Sequence, residues 1–502
     1  MFIDQLGEWK EGSRLEFKSA KGGFPKSFWE TYSAFANTEG GLIVLGVEET
    51  PDGLKAGGLS NASALVQDLW NGLNNLQKVS SNLLVESDVA IEDYDGVPIV
   101  CVKVPRADRS QRPVYINNNM NQGTFRRGGE GDYRCSMEAI SAMVRDNSGD
   151  ALDKEPLEDV DLDALDDDSV SRYRNEFASS RLGHPWASLP RDEFLLRLGA
   201  IGRSKADGHL HPTKAGLLMF GQAWRITDAF PNYFLDCRIA SELRRWDDRI
   251  TSDSGEWSGN VYDFWNKASR MLCEDLPVPF ELDSQLSRVA GTPQHEAIRE
   301  ALTNALVHAD YYGRTGVVAV RSDTIVEVSN PGCLRLPVEV VEGGGVSDPR
   351  NKTLMTMFSL IGRGDKAGSG FDVFRKAAKY AGASGPEIVE FLDPDRTKLT
   401  LHLQPEIDYV VNGVNVVNRS GKDVVNVVSR DGDNVTAPVE LDSSFESLIV
   451  RRIREDSAST ASSIADELGI STRQAQRYLR RLREGGRIER VGGTRGHWEV
   501  RE

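Results

Sequence analysis

Residues 295–313 read HEAIREALTNALVHADYYG, and the organisation of the chain's middle turns on them. Glu300, Asn304 and His308 recur at every fourth position, which predicts a helix carrying all three along one face. Ile298, Leu302 and Leu306 fall on the opposite side, where a core belongs. An acid and an amide one turn apart suit a hydrated magnesium ion, which takes oxygen ligands and keeps several waters. Three glycine-rich stretches follow, SNPG (329–332), EGGG (342–345) and GRGDKAGSG (362–370). The last runs into FDVFRKAAKYAG, a helical pattern whose first backbone N–H groups can cradle phosphates. The candidate cofactor contacts on these segments are Asn304, His308, Gly332, Gly368 and Gly370.

Outward from this helix the chain reads as several domains. Its 502 residues exceed what one core accommodates. An apolar content of 39% and a charged content of 27% are those of a globular protein. No apolar run approaches a membrane span, and the N-terminus shows no secretory pattern. Five scattered cysteines, none in CxxC, predict reduced thiols in a cytoplasm. The net charge of −16 is uneven: residues 150–168 are densely acidic, whereas RQAQRYLRRLREGGRIER near the C-terminus is densely basic. Local patches, rather than the sum, set where a polyanion docks.

The predicted division is 1–148, an acidic linker 149–169, an intermediate α/β segment 170–290, and the nucleotide unit 291–404. A connector 405–442 and a helical segment 443–502 complete it. In the first unit, EGSRLEFKSA (11–20) alternates Leu15 and Phe17 with Glu16 and Lys18, a strand with one charged face. At the other end, Ala461–Leu468, a turn, and a second helix capped by Ser471 form a helix-turn-helix. The second helix carries Arg473, Gln474, Arg477 and Arg481, suited to phosphates and guanine edges. GRIERV and HWEV then read as the strands of a wing. The bland alternative is a solvated arginine-rich helix, or a protein contact.

REALTNALVHADYY, with SNPG, Arg350–Asn351, GSGFDVFR and the upstream TKAGLLMFG, resembles the GHKL ATPase superfamily in the branch of RecG-related bacterial proteins. The likeness covers about 170–403. It implies that Glu300 activates water and that Asn304 holds magnesium beside ATP. Asn330 stands where the superfamily reads adenine with an aspartate, which puts adenine specificity and turnover in question.

The N-terminal EGSRLEFK, FANTEGG (35–41), GVEE (46–49) and RRGG (126–129) resemble the Schlafen/AlbA-type nucleic-acid-binding domain. In its nucleolytic members, acids at the positions of Glu11, Glu16 and Glu49 hold a divalent ion, Mg2+ or Mn2+, with Lys18 beside them. Arg14, Lys21, Lys26, Arg126, Arg127 and Arg134 would then meet the nucleic-acid backbone. The whole is thus expected to be multidomain: a Schlafen/AlbA-type α+β domain, a GHKL-like α/β sandwich and a winged helix.

Two functions follow. One is a metal-dependent nuclease acting on DNA or tRNA, gated by nucleotide, in bacterial anti-phage defence or stress. The other is an ATP-responsive transcriptional regulator that binds DNA and cuts nothing. A homodimer would complete the clamp that two lobes form in other Schlafen cores. No membrane partner is expected.

Overall fold

The computed structural model of the chain describes residues 13–50, 53–59, 61–149, 151–240, 246, 248–276, 291–364, 370–405, 409–411, 414–416, 445–468, 472–484, 487–491 and 497–501. Glu11 and Gly368 lie outside these, as do the side chains of Glu49, Arg473, Gln474, Arg477 and Arg481. None of the described helices is long and apolar enough to cross a membrane.

The charged opening strand, Leu15–Lys18, lies at the edge of a four-stranded sheet. Its neighbours are, in order, Gly41–Leu45, Val97–Val104 and Val89–Tyr94. The first pair runs parallel, with Glu16 opposite Ile43, and the other pairs are antiparallel. Leu15 and Phe17 enter one small core with Val44 and Ile99. The other face carries the larger core, built on Phe28, Tyr32 and Phe35 of the helix Phe28–Ala36. The segment FANT explains how this helix locates a distant hairpin. Buried Asn37 donates to the carbonyls of Val114 (2.8 Å) and Phe125 (3.0 Å) and accepts from Val114 N–H (2.8 Å). Thr38 Oγ1 accepts from Arg127 N–H at 2.9 Å. The strand Phe125–Gly128 is thereby fixed beside the opening strand.

A second, six-stranded sheet organises the centre. Its order is Asp248–Thr251, Leu235–Ile239, Val317–Arg321, Ile325–Pro331, Arg396–His402 and Glu387–Phe391. Only the pairing of Leu235–Ile239 with Val317–Arg321 is parallel. The helix Pro293–His308 packs its Ile298, Leu302 and Leu306 into a core that extends from Ala164 to Leu403. The intermediate segment and the nucleotide unit, expected as separate pieces, thus share one sheet and one core. Two of the six strands come from the intermediate segment and four from the nucleotide unit, so neither piece closes its own hydrophobic face.

The acidic block also departs from expectation. Ala164 and Leu165 are buried in the central core, with Leu157, Val160 and Leu162 packed against it. These apolar residues, spaced among the acids, are what draw the block down onto the domain. Asp153 is buried and caps the helix Lys352–Leu360, accepting from the N–H groups of Thr353 (2.7 Å) and Leu354 (3.0 Å). A carboxylate at a helix N-terminus satisfies orphan donors and meets the positive end of the dipole. Residues 151–168 are a strap rather than a linker.

The described connector residues form a short antiparallel pair, Tyr409–Val411 with Val414–Val416. Three helices follow, Phe445–Glu455, Ala461–Leu468 and Thr472–Glu484, and then an antiparallel hairpin of Ile488–Val491 with His497–Val500. Ile449, Ile464, Ala475, Leu479, Leu482 and Trp498 make their common core.

Candidate functional site

Two sites emerge, one in each of the larger domains. In the N-terminal domain, Glu16 and Lys18 share a face of their strand, and the Lys18 ammonium reaches Glu16 Oε1 at 2.9 Å. The other carboxylate oxygen accepts from Arg127 Nη2 at 2.7 Å. Arg127 Nη1 bonds Asp132 at 2.9 Å, and Asp132 accepts from the Thr31 hydroxyl. The Arg127 side chain is 1% exposed, and its guanidinium lies over the Phe35 ring. Burial acts against the Arg127 charge, but Asp132 and Glu16 outweigh it and raise its pKa. Arg126 is buried as well and pairs with Asp395 of the central domain at 2.5 Å. Two arginines expected to face a phosphate backbone therefore point into the protein. Arg14, Lys21, Lys26 and Arg134 are exposed, with Arg14 paired to Glu39 and Lys21 to Glu48.

Glu16 itself is held by two cations rather than standing open to a divalent ion. Among the described residues no three metal-ligating side chains converge. Both oxygens of Glu16 are already engaged by cations, and a third positive centre there would meet their repulsion. Glu11 and the Glu49 side chain, the other two expected ligands, lie outside the described residues. Asp132 and Thr31 went unnoticed in the sequence. Their only signal was the position of Asp132 five residues after Arg127, opposite it across a hairpin.

The second site is a cavity of about 130 Å³ in the central domain. Glu300, Asn304 and His308 line it from one helix face, as their spacing predicted. Asn330, Gly370 and Thr397 contribute from the sheet and the helix Gly370–Ala381, while Val328, Phe371 and Leu399 supply apolar walls. Asn304 Nδ2 donates to Glu300 Oε1 at 3.2 Å, which directs its own Oδ1 away from that carboxylate. Two oxygen donors one turn apart fit a magnesium ion carried in by a nucleotide. Gly370 opens its helix so close to this pair that a Cβ would stand 3.1 Å from Asn304 Nδ2. Asn330 is buried and donates to Pro331 O at 3.1 Å, leaving its carbonyl oxygen for a ligand. His308 is held neutral: burial, reinforced by Arg350 and Arg335, pushes its pKa down to about 4.

The cavity's remaining wall was missed entirely. Cys333, Leu334, Arg335, Asp348 and Arg350 line it, and each of the last three is also tied to the N-terminal domain. Gly332 makes room for this wall, since a Cβ there would lie 2.9 Å from the Arg350 guanidinium carbon at a φ of +94°.

The molecule is thus a multidomain α/β protein in which a mixed sheet bearing a charged edge strand is joined to a pocketed sheet-and-helix domain. Residues 11–136 match the model of the family described as "Schlafen, AlbA_2". Residues 317–401 match the family described as "Putative ATP-dependent DNA helicase recG C-terminal". Residues 141–236 match a domain of unknown function, DUF8451, and residues 446–502 match the FaeA-like protein family. Among solved structures, the N-terminal domain of a "Putative ATP-dependent DNA Helicase RecG-related Protein" from Nitrosomonas europaea is 30% identical. That match covers 27% of this chain and 91% of the other, with a TM-score of 0.21. The DIP2311 protein from Corynebacterium diphtheriae is 15% identical over 99% of this chain and 98% of its own, with a TM-score of 0.38. No curated protein matches the chain.

Proposed function

We propose that the protein is a nucleotide-responsive nucleic-acid-binding protein: ATP occupies the central pocket, and DNA or RNA binds the N-terminal domain without being cut. The Schlafen AlbA_2 match supports the first domain's role, and the helicase-related match supports nucleotide use in the second. The state of Glu16 carries the choice against cleavage. A carboxylate with one oxygen on Lys18 and the other on Arg127 is a structural ion pair, already spent. The exposed Arg14, Lys21, Lys26 and Arg134 would meet phosphates as separate contacts, and such binding weakens steeply with salt. The basic helix Thr472–Glu484 and its following hairpin act as a winged-helix DNA reader at the other end of the chain.

The test uses the full chain with tRNA, single-stranded DNA and duplex DNA, in magnesium or manganese, beside a Glu16→Ala variant. Binding without cleavage in every metal supports the proposal. Cleavage by the parent that disappears in the variant would instead establish a metal-dependent nuclease, with Glu11 and Glu49 joining Glu16.

A further inference from the structure

The pocket and the N-terminal domain share a wall. Residues 332–350 run from the end of a sheet strand to the start of the helix Lys352–Leu360. One side of this segment lines the pocket through Cys333, Leu334, Arg335, Leu336, Val341 and Asp348. Its other side is gripped by the N-terminal domain at four places. Arg106 bonds both oxygens of Glu390 and the Leu334 carbonyl, the last at 2.7 Å. Arg109 pairs with Asp348. Asp146 takes Arg350 and stands beside Arg335. Arg14, an exposed residue at the start of the charged strand, reaches Glu339 at 3.4 Å.

The pocket is too small for what it is proposed to hold. A cavity of about 130 Å³ falls short of the roughly 300–1,000 Å³ usual for drug-sized ligands. A nucleotide seated wholly within this cavity needs a wall to yield. The helix Pro293–His308 and the sheet are core elements and cannot move independently. The segment 332–350 can: Gly344 and Gly345 both have positive φ, 71° and 81°, and no atom stands near Gly345 where a side chain would be. The EGGG stretch thus puts two glycines in the left-handed region, where the backbone can bend at little steric cost.

We infer that the segment 332–350 couples the two sites, so that a nucleotide filling the pocket displaces this wall and raises nucleic-acid affinity by freeing Arg14 from Glu339. The inference rests on the nucleotide-pocket reading and adds its regulation. Displacement removes one of the two carboxylates on Arg14 and leaves its Nη2 for phosphate, with Nε still on Glu39. Because coupling is reciprocal, nucleic acid raises nucleotide affinity by the same factor. Holding the wall shut reduces apparent nucleotide affinity by the fraction of molecules in the open form, so loosening the wall should tighten nucleotide binding.

The test is nucleic-acid affinity, by fluorescence anisotropy with labelled duplex DNA and labelled tRNA, with and without magnesium and the non-hydrolysable β,γ-imido analogue of ATP. Calorimetry separately measures binding of the analogue. The full chain is expected to bind nucleic acid at least about fivefold more tightly with the analogue. Glu339→Gln should bind more tightly without the analogue and respond less to it. Arg109→Ala should bind the analogue more tightly and lose most of the increment. The double variant Arg106→Met, Glu390→Gln loosens the same wall without stranding a buried charge, and it serves should Arg109→Ala fail to fold. If the analogue binds and nucleic acid binds, yet neither affinity responds to the other, the coupling is wrong while both sites stand. A response of opposite sign, or one untouched in the wall variants, also overturns it. If calorimetry detects no binding of the analogue, the pocket reading itself fails and takes this inference with it.

Discussion

Arg350 of the central domain holds Asp146 of the N-terminal domain side-on, its Nε and Nη2 lying 2.8 and 2.7 Å from the two carboxylate oxygens. Nη1 of the same guanidinium donates to the His308 carbonyl at 2.8 Å. One arginine therefore touches the end of the pocket helix and the last helix of the neighbouring domain. Such a planar fork satisfies several acceptors in fixed geometry, which a lysine cannot reproduce.

Removing the acid should be costly. Asp146→Ala strands Arg350 and Arg335 without their shared carboxylate, and breaking a buried pair from one side costs about 3–5 kcal/mol. Chemical denaturation should show the loss, and Asp146→Asn should lose less. Burial works to raise the Asp146 pKa, but Arg350, Arg335 and Arg112 outweigh it and hold it below the ordinary value. A depressed carboxylate contributes stability above its unfolded pKa and loses it as pH falls through the folded one. The Asp146 contribution should therefore be complete at neutral pH and vanish only in strong acid. A parent and Asp146→Asn stability gap that already closes near pH 6 would contradict this.

His308 gives the opposite kind of titration. Its pKa of about 4, against the ordinary 6.5, means the unfolded chain binds the proton more readily. Stability should fall as pH drops from about 6.5 towards 4, with no further His308 contribution below that. NMR titration of the ring should find it neutral throughout the physiological range. Nucleotide binding should accordingly show no step near pH 6.5 due to this residue.

Arg127 should prove a keystone of the N-terminal domain. Arg127→Met leaves Glu16 and Asp132 without their common partner, at a cost of about 3–5 kcal/mol by the same reasoning. Arg127→Lys should recover only part, since one ammonium cannot bridge two carboxylates as a fork does. Thermal unfolding of both variants checks the order. Equal stability of all three proteins would remove the structural role assigned to the Glu16 pair.

The sequence made the pocket helix readable because period and chemistry coincide: Glu300, Asn304 and His308 share a face that the buried Ile298, Leu302 and Leu306 leave free. Arg127 was not readable, because an arginine in a short strand looks the same whether it meets solvent or two buried acids. Asp153 was concealed by its own neighbourhood, one acid among many, with its partner Thr353 200 positions away. The wall was hidden for the same reason. Arg106 and Glu390 are 284 positions apart, and no local pattern announces a pair formed only when two domains dock. Local periodicity reports which face is buried; it does not report what buries it.

Asn304 supplies the sharpest test of the pocket, because its effect should depend on the metal. Its Nδ2 is occupied by Glu300, so the free carbonyl oxygen is the atom available to a nucleotide-borne magnesium. Asn304→Ala should weaken magnesium–nucleotide binding by roughly tenfold or more, as expected for losing one interaction with a charged group at about 1.5–3 kcal/mol. In excess chelator the same substitution should change little, since the remaining contacts come from Asn330, Thr397 and the apolar walls. Calorimetry with and without magnesium separates the two contributions. A loss of equal size in both conditions would mean that Asn304 shapes the cavity rather than meeting the ion, and unchanged affinity in both would remove the helix face from the site altogether.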